Sequence, residues 1–319
     1  MADLGLIPIF TTQFSQRLDL KLQQMGSKLR GRVDEYSGYV GKQASPMQQI
    51  GAVQSRQPQG RFAPKINTPQ DFTRRWVFPQ DRSIDQYFDN FDQLRTIVEP
   101  RSKAVEGASM ACGRDWDDAI IAAAFGTAQI GADAGSLTSE TFSLTTFTDD
   151  TPAGFTVEDD FGASAAVGLT VAKMIEARRV LRHFHNDLEN DPATLVIGSN
   201  QEADLLKQVQ VTNKEYNRSV ADNSVLVDGK VTRFVGFDIV VMERLPIIAT
   251  NTRGCLVFVR SGLHLGIWKD VSTQIFQRPD LESNPWDVST VHTYGATRTQ
   301  PGKVLCIACA DTTGVDITP

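Results

Sequence analysis

Arg114-Asp115-Trp116-Asp117-Asp118-Ala119-Ile120-Ile121-Ala122-Ala123 lies inside a long helical pattern. Val105, Ala108, Cys112, Trp116, Ala119 and Ala123 recur three or four residues apart, which makes an apolar stripe on one helix face. Pro100 suits a first helical turn and Gly126 stops the pattern, so a helix is expected over Pro100–Phe125. Arg114 and Asp118 sit one turn apart and are expected to pair, a contact worth only about 0.3–0.5 kcal/mol. The next ten residues, Gly126 to Gly135, read as a loop. Their glycines follow a helix rather than a strand and do not spell G-x-G-x-x-G, so they form no phosphate cradle.

Working toward the N-terminus, Asp71–Phe78 reads as a strand with Phe72, Arg74, Trp76 and Phe78 on one face. Before it, residues 41–70 hold Pro46, Pro58, Pro64 and Pro69, many glutamines and no acidic residue. Their cations are Lys42, Arg56, Arg61 and Lys65. Lys28–Val40, with Val33, Tyr36 and Tyr39, reads as a second strand. The expected arrangement is a long two-stranded excursion over these flanking strands, with a basic tip; an interdomain linker is the competing reading. Residues 12–26 carry Phe14, Leu18, Leu22 and Met25 at helical spacing, with Gly26 as a stop. This reads as a terminal arm whose apolar stripe docks on something.

Toward the C-terminus, residues 136–168 are expected to form short strands. Leu169–Leu188 reads as a helix with Val171, Met174, Ala177, Leu181, Phe184 and Leu188 on one side. Ala193–Gly198 is a short buried strand, and Ser199-Asn200-Gln201-Glu202 is a capping box opening a helix to about Val211. Strands are expected at 231–242, 255–259, 263–268, 271–276, 288–298 and 303–309, largely antiparallel. The fold class is α+β.

The chain has 319 residues, 41% hydrophobic and 22% charged, which excludes a disordered chain. No window approaches about 18 consecutive apolar residues, so no transmembrane helix is expected, and MADLGLIPIF lacks the basic start of a signal peptide. The net charge of −6 is uneven: residues 1–103 carry 15 Lys+Arg against 10 Asp+Glu, and the remainder carries 17 against 28. A basic third on an acidic body fits head-to-tail attraction between copies. Cys306 and Cys309 spell C-x-x-C within an apolar run and read as buried strand residues, with Cys112 and Cys255 the other thiols. His183 and His185 do not share a helix face, and His264 and His292 have no marked carboxylate partner in sequence. Asp115/Asp117/Asp118, Asp149/Asp150 and Glu158/Asp159/Asp160 read as solvated surface, without calcium-loop spacing. No nucleophile elbow, zinc finger or RNA-binding motif occurs. No catalytic, cofactor or metal site is therefore expected. The expected contact residues between copies are Phe14, Leu18, Leu22, Arg56, Arg61, Lys65 and Trp76.

The order of these parts resembles a major capsid protein of tailed bacteriophages, with the Hong Kong ninety-seven-type fold. Arg114 to Ala123 resembles the family's R-x-x-D-x-x-I-x-A-A before a glycine turn. Leu169–Leu188 with Ala193–Leu206 looks like the axial helix–strand–helix. Arg260-Ser261-Gly262 through Trp268, with Tyr294-Gly295-Ala296-Thr297-Arg298, is similar to the closing peripheral sheet. The resemblance implies an N-terminal arm at 1–30, an extended E-loop and its base at 31–95, and a peripheral domain at 96–165. It further implies an axial domain at 166–258 and the peripheral closing sheet at 259–319. It implies a structural protein, not an enzyme, that self-assembles into pentamers and hexamers of an icosahedral shell enclosing phage DNA. The implied partners are other copies, a separate scaffolding protein, a portal and a decoration protein, with no membrane. Its place would be the virion, after assembly in the host cytoplasm. Lys42 and Lys65 carry little support for covalent cross-linking. An encapsulin-like shell and an enzyme with an unreadable site are the alternatives.

Overall fold

The structure is a computed structural model. It describes residues 23–51, 72–89, 101–133, 135–148, 154–208, 226–227, 230–282 and 284–311, with 53, 55–57, 60, 67 and 70. The first strands are β1 (Asp34–Ser37), β2 (Ala44–Ile50), β3 (Phe72–Val77) and β4 (Gln80–Phe88). Helix α1 (Arg101–Phe125) follows, then β5 (Thr127–Ile130), β6 (Thr138–Thr141) and β7 (Thr156–Val157). Next come α2 (Val171–His183), β8 (Ala193–Ile197) and α3 (Ser199–Leu206). Short strands β9 (Leu226–Val227), β10 (Lys230–Val231) and β11 (Arg233–Phe234) lead to β12 (Phe237–Val241) and β13 (Ile247–Ala249). The last strands are β14 (Thr252–Val259), β15 (Leu263–Gln277), β16 (Trp286–Arg298) and β17 (Val304–Ala310).

The chain divides into two compact units. The larger holds 28–80, 115–270 and 293–319, and the smaller holds 1–27, 81–114 and 271–292. The main core of the larger unit is a seven-stranded sheet ordered β11-β12-β8-β14-β17-β7, with β13 paired to β14. All five residues of β8 are buried, and so are all seven of β17. Apolar in every residue but Thr194, these runs suit strands covered on both faces. Helix α2 packs Met174, Ala177, Val180 and Leu181 into this core, and Thr170 Oγ1 caps it by accepting from Lys173 N–H. Cys255, Cys306 and Cys309 are fully buried, and burial pushes the Cys306 thiol well up, so these thiols pack as small apolar groups.

Several expectations change. The resemblance implies one closing sheet over 259–319; β17 pairs antiparallel with β14 in the seven-stranded sheet, while β15 and β16 belong to the order β1-β15-β16-β4. The pairing is largely antiparallel, as expected, with β12 to β8, β17 to β7 and β1 to β15 parallel. Strands expected at 263–268 and 271–276 are one strand, β15. Helix α3 starts after Gly198 with no side-chain cap of its own. Glu243 Oε1 instead accepts from the Ser199 N–H at 2.6 Å, so the capping carboxylate comes from 44 residues along the chain. Helix α2 ends at His183, five residues short of Leu188, where His185 takes a left-handed φ of 59°.

One turn carries strain. Val235 and Gly236 link β11 to β12 with φ of 51° and 80°. Two positive φ values suit the tight hairpin turn that Asn-Gly favours. A β-branched residue there costs roughly 1–2 kcal/mol. Arg178 Nη1 donates to Val235 O at 3.1 Å and holds the turn. Val235→Asn keeps that main-chain bond and is expected to gain about 0.5–1 kcal/mol after some lost packing. Thermal unfolding checks this; a lower midpoint than the parent's contradicts it.

Candidate subunit-contact surfaces

The extension pairs β3, which lies inside the expected strand Asp71–Phe78, with β2 rather than with Lys28–Val40, at the edge of a four-stranded sheet ordered β2-β3-β5-β6. Ile50 pairs with Phe72, Gln49 with Thr73, Gln48 with Arg74 and Met47 with Arg75. The register then slips, so that Ala44 meets Val77. Pro46 falls in the slip, as expected of a residue that cannot donate to the ladder. Residues 34–37, expected to flank the extension, instead pair with 264–267 of β15.

Along β3 the buried face carries Arg75 and Val77, and the aromatic face is the more open one. Arg75 is 4% exposed and pairs with Glu140 of β6. Trp76 is half-buried, and its Nε1 donates to Gly131 O at 3.1 Å. Gly131 N–H donates back to Arg74 O at 3.1 Å, and β3 pairs with β5. Trp76 thus fastens the extension to its own chain. Further out, the paired residues Ile50 and Phe72 are 60% and 64% exposed, and Val53 is 54% exposed. Arg56 is exposed, whereas Arg61 and Lys65 lie outside the described residues.

The arm stripe of Phe14, Leu18 and Leu22 also lies outside the described residues. What precedes β1 is nonetheless tied to α1. In the smaller unit, Arg114 Nη1 donates to Gln23 Oε1 at 2.8 Å, so Arg114 does not take the expected partner, Asp118. A Cβ on Gly113 would stand 2.6 Å from the Gly26 carbonyl carbon, so only glycine lets the segment lie this close. In the larger unit, Asp117 is fully buried and accepts from Lys28 N–H and Leu29 N–H at 3.0 and 3.1 Å. This corrects the reading of Asp117 as solvated surface: two main-chain donors replace its water. Asp118 is held by the Arg244 guanidinium in a two-pronged pair. The buried stripe of α1 also shifts near its end, from Ala119 and Ala123 to Ile120, Ile121 and Ala124.

Two buried cations brace the larger unit. Lys173 Nζ donates to Asp159 O, Val167 O, Gly168 O and Ala308 O at 2.8, 2.7, 3.0 and 3.0 Å. Burial lowers its pKa, and the ring of carbonyls supplies acceptors in place of water. The lysine pins the acidic loop Glu158-Asp159-Asp160 against β17. Glu158 and Asp160 stay exposed, but Asp159 is half-buried and accepts from Thr252 Oγ1 at 3.3 Å. Arg298 is fully buried at the end of α1 and donates to Ala124 O, Gly126 O and Glu140 O at 2.9, 2.9 and 3.0 Å. Burial pushes its pKa down to about 10, while its charge faces the negative end of the helix.

His183 and His185 are exposed, and one histidine departs from expectation. His264 has a carboxylate partner after all, Asp34, at 3.0 Å. His292 Nδ1 lies 3.3 Å from Cys112 Sγ in a buried contact. Among the described residues no three His, Cys, Asp or Glu side chains converge as a metal site. No helix among them is long and apolar enough to cross a membrane.

The described residues thus hold an extended strand pair with open apolar residues and a terminal segment tied to α1. A model of the phage capsid protein family matches residues 6–311. The chain belongs to that family. As a capsid protein it is a structural subunit of the virion that self-associates into the icosahedral shell. Its fold is shared by the capsid of cyanophage P-SCSP1u, at TM-score 0.71 and 13% identity over 98% of this chain and 96% of that one. The cyanophage Pam1 capsid matches at TM-score 0.71 and 12% identity, covering 98% of this chain and 100% of that one. Mycobacterium phage Che8 matches at TM-score 0.66 and 16% identity, covering 96% and 98%. No curated protein matches the chain.

Proposed function

We propose that this capsid protein closes into pentamers and hexamers around double-stranded DNA, with no turnover of its own. The observation that carries the proposal is the β2–β3 pair, fastened at its base by Trp76 and Arg75 and bearing exposed Ile50 and Phe72 farther out. A projecting strand pair with open apolar residues gains stability when a neighbour covers it. Residues 31–95 then serve as the E-loop and its base, 1–30 as the arm, and 96–165 with β15 and β16 as the peripheral part. Residues 166–258 serve as the axial part, joined by β17. Closed symmetry repeats each modest contact and makes the set cooperative. The acidic balance of residues 104–319 suits a container that must not trap packaged polyanion. The partners in this reading are a separate scaffolding protein, a portal and a decoration protein, with assembly in the host cytoplasm. Velocity sedimentation of the expressed chain tests it: large discrete particles support shell closure, and a lone monomer with a turnover contradicts it.

The charge asymmetry adds an electrostatic part. Arg56, Arg61 and Lys65 are the proposed donors of the extension, and exposed Glu158 and Asp160 the acceptors on a neighbour. Exposed pairs are worth at most about 1 kcal/mol each. Screening shortens from about 10 Å at 0.1 M salt to about 3 Å at 1 M. Replacing all three cations with Gln is expected to raise the assembly threshold at low salt and leave it unchanged at high salt. Light scattering against protein concentration reads the threshold. Equal thresholds at low salt would remove charge from subunit pairing.

A further inference from the structure

Three side chains line up at the start of β15. Asp34 Oδ2 lies 3.0 Å from His264 Nδ1, and Tyr39 Oη lies 3.0 Å from His264 Nε2. A carboxylate can only accept, so Nδ1 carries the ring proton. In the neutral ring Nε2 is then an acceptor, and the Tyr39 hydroxyl donates to it. His264 is 4% exposed, and both of its partners come from residues 34–39. The same segment is held by its backbone, since Gly38 and Tyr39 N–H both donate to Ile267 O, at 2.9 and 3.4 Å. The Tyr39 ring packs on Tyr36 and Trp268, with centroids 4.7 and 5.1 Å away. Trp268 Nε1 donates to Gly41 O at 2.9 Å. Every one of these contacts fixes the eight residues that lead into β2.

The carboxylate–imidazole–hydroxyl order is that of a nucleophilic relay, but the hydroxyl does not suit that chemistry. Burial, with Asp34 and Tyr36 adding to it, pushes Tyr39 up to about 12, so the phenol stays protonated and serves as a donor. We infer that Asp34, His264 and Tyr39 form an acid-released latch on the segment that leads into the β2–β3 pair. A second proton on the ring goes to Nε2, where the Tyr39 hydrogen already points. Tyr39 must turn its hydrogen away, and the imidazolium must sit in a site nearly closed to water. The titratable groups facing the ring are Asp34 from β1 and Tyr39 after it, with Tyr36 beside Tyr39. Asp34 favours the charged ring, but burial outweighs it, so the His264 pKa lies below its ordinary 6.5. The unfolded segment therefore takes up its proton first. The latch is complete above about pH 6.5 and weakens as pH falls toward the folded pKa.

Hydrogen exchange of the full chain by mass spectrometry, corrected for the intrinsic pH dependence of exchange, tests the latch. Between pH 8 and pH 5, protection of residues 34–41 is expected to fall about tenfold relative to β8. Tyr39→Phe removes the donor that favours the neutral ring, raises the folded pKa toward 6.5 and makes the fall smaller. Asp34→Asn removes the group that favours the charged ring, lowers the folded pKa further and makes the fall larger, continuing to lower pH. His264→Gln abolishes it. Protection at 34–41 that tracks β8 throughout in the parent would overturn the inference. So would changes to the fall in the same direction from Tyr39→Phe and Asp34→Asn, two partners that lie nearer the surface than His264 and need not disturb folding.

Discussion

Lys173→Met is expected to destabilise the isolated subunit by about 3–5 kcal/mol, because buried carbonyls left without a donor cost roughly 1–3 kcal/mol each. Methionine matches the length of the side chain but offers no donor. Four carbonyl oxygens, on Asp159, Val167, Gly168 and Ala308, then lose their shared ammonium inside the protein. The midpoint of thermal unfolding should drop by roughly 10 °C. Lys207→Met is the control, because Lys207 makes a half-exposed pair with Asp204 and its loss should stay within about 0.5 kcal/mol. Equal midpoints for the two variants would mean that the Lys173 cage contributes nothing beyond packing. If only the Lys173 variant falls, the loop bearing Glu158 and Asp160 should also become protease-sensitive.

The second large effect concerns assembly rather than folding. The double variant Ile50→Asp, Phe72→Asp should give a soluble subunit that no longer forms shells. Both residues are exposed and face each other across the strand pair, so the free subunit loses little, within about 0.5 kcal/mol per site. A neighbour that covers them gains up to about 1.5–3 kcal/mol per large side chain. Two carboxylates in the covered site forfeit that gain and add a desolvation cost, repeated in every subunit. Sedimentation and circular dichroism together separate the cases. Shells at normal yield would show that no neighbour covers this pair.

The legible parts of the fold are those whose signal is local. The Val304–Ala310 run shows its burial in every residue, and β17 is buried throughout. The three-and-four spacing around Trp116 marks α1 within one residue at its start. β2 is hidden because Pro46, Gln48 and Gln49 blur its alternation, and only the pairing with β3 reveals it as a strand. Buried charges are hidden for a different reason. Asp117 looks like one of a surface run until Lys28 and Leu29, nearly ninety residues earlier, supply their N–H groups. His264 finds Asp34 across a separation of 230 residues. Lys173 draws three of its carbonyls from within fourteen residues but the fourth from β17. A single sequence shows residue types and spacing, whereas these sites depend on which distant backbone groups the fold brings to them. The proposed contact surfaces are legible only as chemistry, as a cation-rich stretch without acids and an apolar stripe.

Electron cryomicroscopy of particles formed by the expressed full-length chain tests the central claim most directly. Closed icosahedral shells are predicted, with five-fold and six-fold clusters and with residues 44–77 of each copy lying over a neighbouring subunit, Ile50 and Phe72 covered. Particles in which residues 44–77 fold back on their own chain, or no closed particles at all, would contradict the account.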